Sequence, residues 1–169
     1  MIRPILRHGE SVLRTPAIPV AVVDDEVCAL VDDLVQTMYA APGVGLAAPQ
    51  IGVPLRVFVV DVSIGRGPGN LLVMINPVFV EREGLQLEEE GCLSVPGFNA
   101  TVVRPARAVV RGLDLSGVER SVEGRDLLAR AFQHEMDHLD GTMFLDRLRG
   151  VHRHIIVKNI QRLRRTGRW

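Results

Sequence analysis

The stretch QHEMDHLDG, residues 133–141, constrains this chain more than any other feature. His134 and His138 stand four residues apart, so on a helix their rings project from one side, one turn from each other. Glu135 follows the first ring directly. Two imidazoles at that spacing beside a carboxylate make a metal-binding helix with a general base attached. The surrounding periodicity agrees. Leu127, Leu128, Ala131, Phe132, Glu135 and Leu139 recur at helical spacings and predict a helix over 125–139, with Gly141 as its stop. The fold must then carry a third donor to this helix, because a catalytic site ordinarily takes three protein ligands and leaves one position open.

Downstream, nothing suits that role. The extended motif H-E-x-x-H-x-x-G-x-x-H needs a histidine where this chain has Phe144, and no glutamate follows Glu135. Asp140 and Asp146 lie too near in sequence to fold back easily. His152 and His154 fall in a basic helical stretch, where exposure is expected. Upstream, EEEGCLSVPG (88–97) places Cys92 after a glycine at the end of a strand-like run. A thiolate binds Zn²⁺ or Fe²⁺ well, and a metal deprotonates it. Alone, Cys92 reads more readily as a small buried filler. A glycine-bracketed turn and an incomplete two-histidine site favour the ligand.

The rest of the chain gives a layout. Val27, Leu30, Val31, Leu34, Val35 and Met38 set a helix between Asp24 and Ala41, capped by Asp24 or Asp25 and stopped by Pro42-Gly43. Cys28 beside its apolar face reads as a buried filler. The segment APGVGLAAPQIGVP (41–54) is too interrupted for a helix, and its small residues let backbone approach something closely. Strand-like runs follow at 55–61, 71–80, 84–91, 107–114 and 118–124, separated by Gly/Pro/Ser/Asn turns. Short connections favour antiparallel pairing. The expectation is an α+β fold: antiparallel strands packed around a central metal-binding helix, with N-terminal and C-terminal helices, the last over about 146–165. Residues 1–169 read as one catalytic domain.

The chain holds 20 basic and 20 acidic side chains, so no global charge argues for nucleic acid or an acidic substrate. No apolar run approaches the roughly 18 residues that span a bilayer, and the opening MIRPILRHGESVLR lacks the apolar core of a secretory signal. Cys28 and Cys92 are the only cysteines, and a disulfide between them is not expected. The cytoplasm is the expected compartment, with no membrane contact.

Three stretches, GVGLAAPQ (43–50), EGCLS (90–94) and QHEMDHLDG (133–141), resemble the three signature motifs of bacterial peptide deformylase in order and spacing, and RHGESVLRTPA is similar to the family's opening segment. The resemblance runs from about Pro4 to about Leu148. It implies a hydrolase that removes the formyl group from the N-terminal formyl-methionine of newly made proteins and releases formate. It implies one divalent metal, Fe²⁺ natively, with Zn²⁺, Ni²⁺ or Co²⁺ able to replace it. Carried onto this sequence, Cys92, His134 and His138 are the metal ligands and Glu135 is the general base and acid. Gln50 and the Leu93 N–H are oxyanion donors, and Arg104 is a partner for Asp137. These roles fit the chemistry: a metal acidifies water, Glu135 can take its proton, and the two donors can surround a tetrahedral oxyanion.

Methionine needs a narrow apolar slot, for which Val44, Leu127 and Ala131 are candidates; plain core packing is the other reading. Gly45, Gly91 and Pro96 frame backbone that can pair with an extended peptide. Gly97-Phe98-Asn99 stands where many members of the family carry an arginine-containing segment. After Asp146 there are eight basic and no acidic residues, beside an apolar stripe of Leu148, Val151, Ile155, Ile156, Ile160 and Leu163. Such a helix either docks with a solvated basic side or touches ribosomal RNA. Two other functions stay open on the motif alone: an H-E-x-x-H metallopeptidase, and a non-catalytic module for ribosomes or nascent chains.

Overall fold

The computed structural model describes all 169 residues. Its elements are α1 (Asp25–Ala40), β1 (Gly45–Ala47), β2 (Val57–Val60), β3 (Leu72–Glu83), β4 (Gln86–Gly91), β5 (Asn99–Arg104), β6 (Arg107–Leu113), β7 (Glu119–Arg125), α2 (Asp126–Leu139) and α3 (Val151–Arg165). Single 3₁₀ turns lie at Ser11–Arg14, Ala48–Ile51 and Phe144–Arg147. The α+β expectation holds, and every strand pairing within the two sheets is antiparallel. Five strands run in the order β1-β2-β3-β6-β7, and β4 pairs with β5 alone.

The short apolar run VFVV explains how the layers meet. All four residues of β2 are buried. Val57 and Val59 join the core under α1, whereas Phe58 and Val60 join the core under α2. Period-two alternation thus sends one strand's side chains to two helices, so both faces must be apolar. Leu46 and Ala47 of β1 divide the same way. A third apolar cluster joins Val95, Val102, Phe144, Ile156 and Ile160, tying β5 to α3.

Helix α1 begins where expected: the Asp24 carboxylate accepts the Val27 N–H at 3.0 Å. Helix α2 ends at Gly141, whose φ of +71° suits a left-handed cap. From Ala129 to Leu139, α2 is buried on every side, so the single apolar stripe read from its periodicity understates its enclosure. Packing against β1, β2, β6 and β7 explains this.

The structure adds detail in two places and corrects one boundary. Residues 41–54 contain strand β1 and a 3₁₀ turn. Strand β5, unforeseen, completes a hairpin with β4. The C-terminal helix does not start near 146: Gly150 takes φ +65°, and α3 begins at Val151. Of its expected apolar stripe, Ile156 and Ile160 are buried, whereas Val151 and Ile155 are exposed. Both cysteines are free, and Cys28 is only half-buried. No helix is long and apolar enough to cross a membrane.

Candidate metal centre

Helix α2 presents His134 and His138 toward the turn that follows β4, and there they meet Cys92. The three donor atoms lie within 4.8 Å of one another. Cys92 Sγ is 3.2 Å from His138 Nε2, which is 3.2 Å from His134 Nε2. In a tetrahedral site with metal–nitrogen bonds of about 2.0–2.1 Å, two nitrogens sit about 3.3 Å apart. The spacing therefore fits one ion, and one thiolate with two imidazoles suits zinc or ferrous iron.

The imidazoles are prepared for this role. Glu90 Oε1 lies 2.5 Å from His134 Nδ1. A proton on Nδ1, donated to that carboxylate, leaves the Nε2 lone pair facing Cys92 and His138. Arg104 Nε and Arg130 Nη1 each donate to Glu90 Oε2 at 2.8 Å. Burial pushes the Glu90 carboxyl up, but hydrogen bonds from Arg104 and then His134 outweigh it and hold the group well below the usual carboxylate range. Asp137 accepts Arg104 Nη1 at 2.9 Å and Arg147 Nε at 2.7 Å. The Arg104 pairing is the expected one, and Asp137 is buried rather than solvated. Burial holds His138 well below its ordinary pKa.

Glu135 lies on the same wall. It is 3% exposed, its Oε2 has no protein partner, and burial pushes its pKa up to about 7. Gln50 comes from the 3₁₀ turn after β1. Its Oε1 accepts the Ala47 N–H at 2.9 Å, fixing the amide, and its Nε2 donates to Ser94 Oγ at 3.1 Å, 3.7 Å from Cys92 Sγ. The Leu93 N–H donates to no backbone acceptor.

A cavity of about 440 Å³ opens onto these groups. It brings together every expected site residue but His138: Val44, Gly45, Gln50, Gly91, Cys92, Leu93, Leu127, Ala131, His134 and Glu135 line it. Ala131 is buried, but Leu127 is 49% exposed and stands at the mouth. A larger groove of about 920 Å³ between β5 and α3 contains none of the three donors. Sequence reasoning missed Glu90 and Arg130. Arg130 lies four residues before His134, on the ligand-bearing side of α2, and that spacing was its available signal.

Fold and site together define an α+β protein whose buried helix and a neighbouring turn offer a three-donor metal cluster to an open cavity. The comparisons with known proteins speak to the family and the fold. The family profile described as Polypeptide deformylase matches residues 2–154. The chain is 46% identical to a peptide deformylase of Acidobacterium capsulatum, over all of this chain and 99% of that protein. It is 50% identical to one from Acetivibrio thermocellus, over 87% of this chain and 84% of that protein. A crystal structure of a peptide deformylase from Legionella pneumophila superposes with a TM-score of 0.92 at 41% identity, over 99% of this chain and 98% of the other. The Synechococcus elongatus enzyme, solved with actinonin, gives 0.89 at 37% identity, over 95% and 90%.

The chain belongs to the polypeptide deformylase family. It is an enzyme that removes the N-formyl group from nascent peptides.

Proposed function

We propose that Cys92, His134 and His138 hold one divalent ion against the cavity, and that Glu135, Gln50 and Leu93 carry out deformylation beside it. The observation that supports this most is the convergence of those three donor atoms within 4.8 Å, with Glu135 lining the same cavity. Fe²⁺ is the proposed native ion, with Zn²⁺, Ni²⁺ or Co²⁺ as substitutes, since thiolate with imidazole accommodates all of them. A bound ion would supply Lewis acidity and an acidified water.

The chain's own groups do the rest. Glu135, poised near neutrality, takes a proton from water and returns one to the amine as the formyl C–N bond breaks and formate departs. Gln50 Nε2 and the Leu93 N–H receive the oxyanion, two fixed donors that need no reorganisation. Val44 and Ala131 line the methionine slot, and Leu127 covers its entrance. Strands β1 and β4 each lack a neighbour on one side. Backbone at Gly45 and Gly91 is therefore available to an extended peptide added as a strand. This cavity would accept actinonin, the compound with which the Synechococcus relative was solved.

Residues 1–169 act in this reading as one catalytic domain, working in the cytoplasm. The exposed Lys158, Arg162 and Arg165 of α3 are proposed to meet ribosomal RNA. Replacing all three with Ala should weaken ribosome co-sedimentation at low salt; unchanged binding rejects the contact.

Glu135→Ala is the deciding experiment for the chemistry. The variant should keep its metal and lose formate release from formyl-Met-Ala, while the native protein leaves internal peptide bonds intact. Substantial turnover without Glu135 would refute its role, and internal cleavage would favour a metallopeptidase.

A further inference from the structure

Trp169 is the chain's sole tryptophan. Its indole packs against Phe98, with ring centroids 6.2 Å apart and planes tilted by 50°, and the Arg7 guanidinium lies 5.8 Å over the ring. Its Nε1–H donates to the His8 carbonyl at 3.1 Å. The N-terminal segment held in this way is strung between two loops of the metal centre. The Leu6 N–H donates to the Gln50 carbonyl at 2.8 Å, and the His8 N–H donates to the Ser94 carbonyl at 2.8 Å. Ser94 Oγ in turn accepts Gln50 Nε2 at 3.1 Å. Phe98 joins the two routes, because it follows Pro96 and Gly97 on the cavity rim.

Phe98 also packs against the third apolar cluster, whereas Gly97 beside it is loosely held. Gly97 takes φ +83°, and no atom lies within 4 Å of where its Cβ would be. The Phe98 N–H reaches the Val95 carbonyl only at 3.4 Å, a weak bond. Packing against Trp169 therefore adds to the apolar anchorage of this corner.

We infer that Trp169 is a positioning residue for deformylation: it clamps Phe98 and residues 6–8, and through Ser94 it keeps the Gln50 amide aimed at the reacting carbonyl. The inference rests on Gln50 acting as an oxyanion donor. Trp169 touches neither metal donors nor cavity, so it acts at a distance. The bound peptide, by closing on Pro96 and Gly97, moves the indole's surroundings in return.

The test compares Trp169→Ala and Trp169→Phe, alone and combined with Gln50→Ala. Formate release from formyl-Met-Ala-Ser is measured per bound metal. Trp169→Ala should lower kcat/KM roughly threefold to tenfold, the range one ordinary hydrogen bond represents, with metal content unchanged. Trp169→Phe, which keeps an aromatic ring, though a smaller one, and loses the N–H, should fall between. In the Gln50→Ala background the Trp169 effect should vanish, since both act through one amide. Native kcat/KM in folded, metal-loaded Trp169→Ala overturns the clamp, whatever happens to its melting temperature. Full activity in Gln50→Ala alone instead overturns the role of Gln50. Should Trp169→Ala fail to fold, native tryptophan emission decides: a saturable change on titration with Met-Ala-Ser supports the clamp, and unchanged emission rejects it.

Discussion

A Cβ placed on Gly45 would lie 2.4 Å from Glu135 Oε1, closer than any real contact. Glycine is required there because the carboxylate occupies the space a side chain would fill. Gly45→Ala should therefore push Glu135 off its position, and a displacement near 1 Å costs catalysis about a hundredfold. Steady-state formate release with parallel metal analysis checks this. Lowered kcat at full metal content is expected; native kcat would mean that the carboxylate's position is not critical.

Gln50 is buried, with its amide oxygen committed to the Ala47 N–H. Gln50→Ala should cut kcat by about 10²–10³, the usual loss for one oxyanion donor, while metal stays bound. Kinetics on formyl-Met-Ala decide, and a change confined to KM would contradict the assignment.

Glu90 receives Arg104, Arg130 and the His134 ring together. In Glu90→Gln the acceptor loses its charge, so metal affinity should fall about 10–100-fold. Buried Arg130 also loses its counter-charge, while Arg104 keeps Asp137, at a cost of about 3–5 kcal/mol in stability. Chelator competition with Zn²⁺ and urea unfolding measure the two effects. Unchanged Zn²⁺ affinity would show that His134 does not depend on this carboxylate.

Asp61 gives a pH signature away from the metal. Burial opposes its ionisation, but hydrogen bonds from Ser63, Tyr39 and Gly65 bring its pKa down to about 2 from 3.8. The folded state thus binds the proton more weakly than the unfolded chain, so the contribution is complete above about pH 4 and fades as pH falls through 2. Its partner Tyr39 is pushed up to about 12, first by burial and then by its hydrogen bond to Asp61, so that share is present below pH 10 and fades as pH rises through 12. The urea midpoint of Asp61→Asn should lie below the native one at pH 6, and the gap should shrink between pH 4 and 2. A constant gap would contradict the ionic account.

The two histidines were legible because helical spacing alone puts them together, and Cys92 because no downstream side chain could serve. Glu90 was hidden inside an acidic run; only the fold reveals that it alone of β4 is buried, against Arg130 and His134 of α2. Strands β1 and β5 were unreadable for different reasons. Gly45–Ala47 has little β-propensity of its own and pairs because β2 lies alongside. Asn99–Arg104 is cut short by Pro105 and held by its hairpin partner. Gly150 did carry a signal against a helix running from 146, but the basic-apolar periodicity masked it. The Trp169–Phe98 contact joins residues 71 positions apart, and no local pattern announces such a pair.

X-ray absorption at the metal edge of anaerobically loaded protein tests the central claim most directly. One sulfur neighbour near 2.3 Å, two imidazole nitrogens and one light solvent atom are expected. A shell without sulfur, or one closed by four protein ligands, would contradict the account.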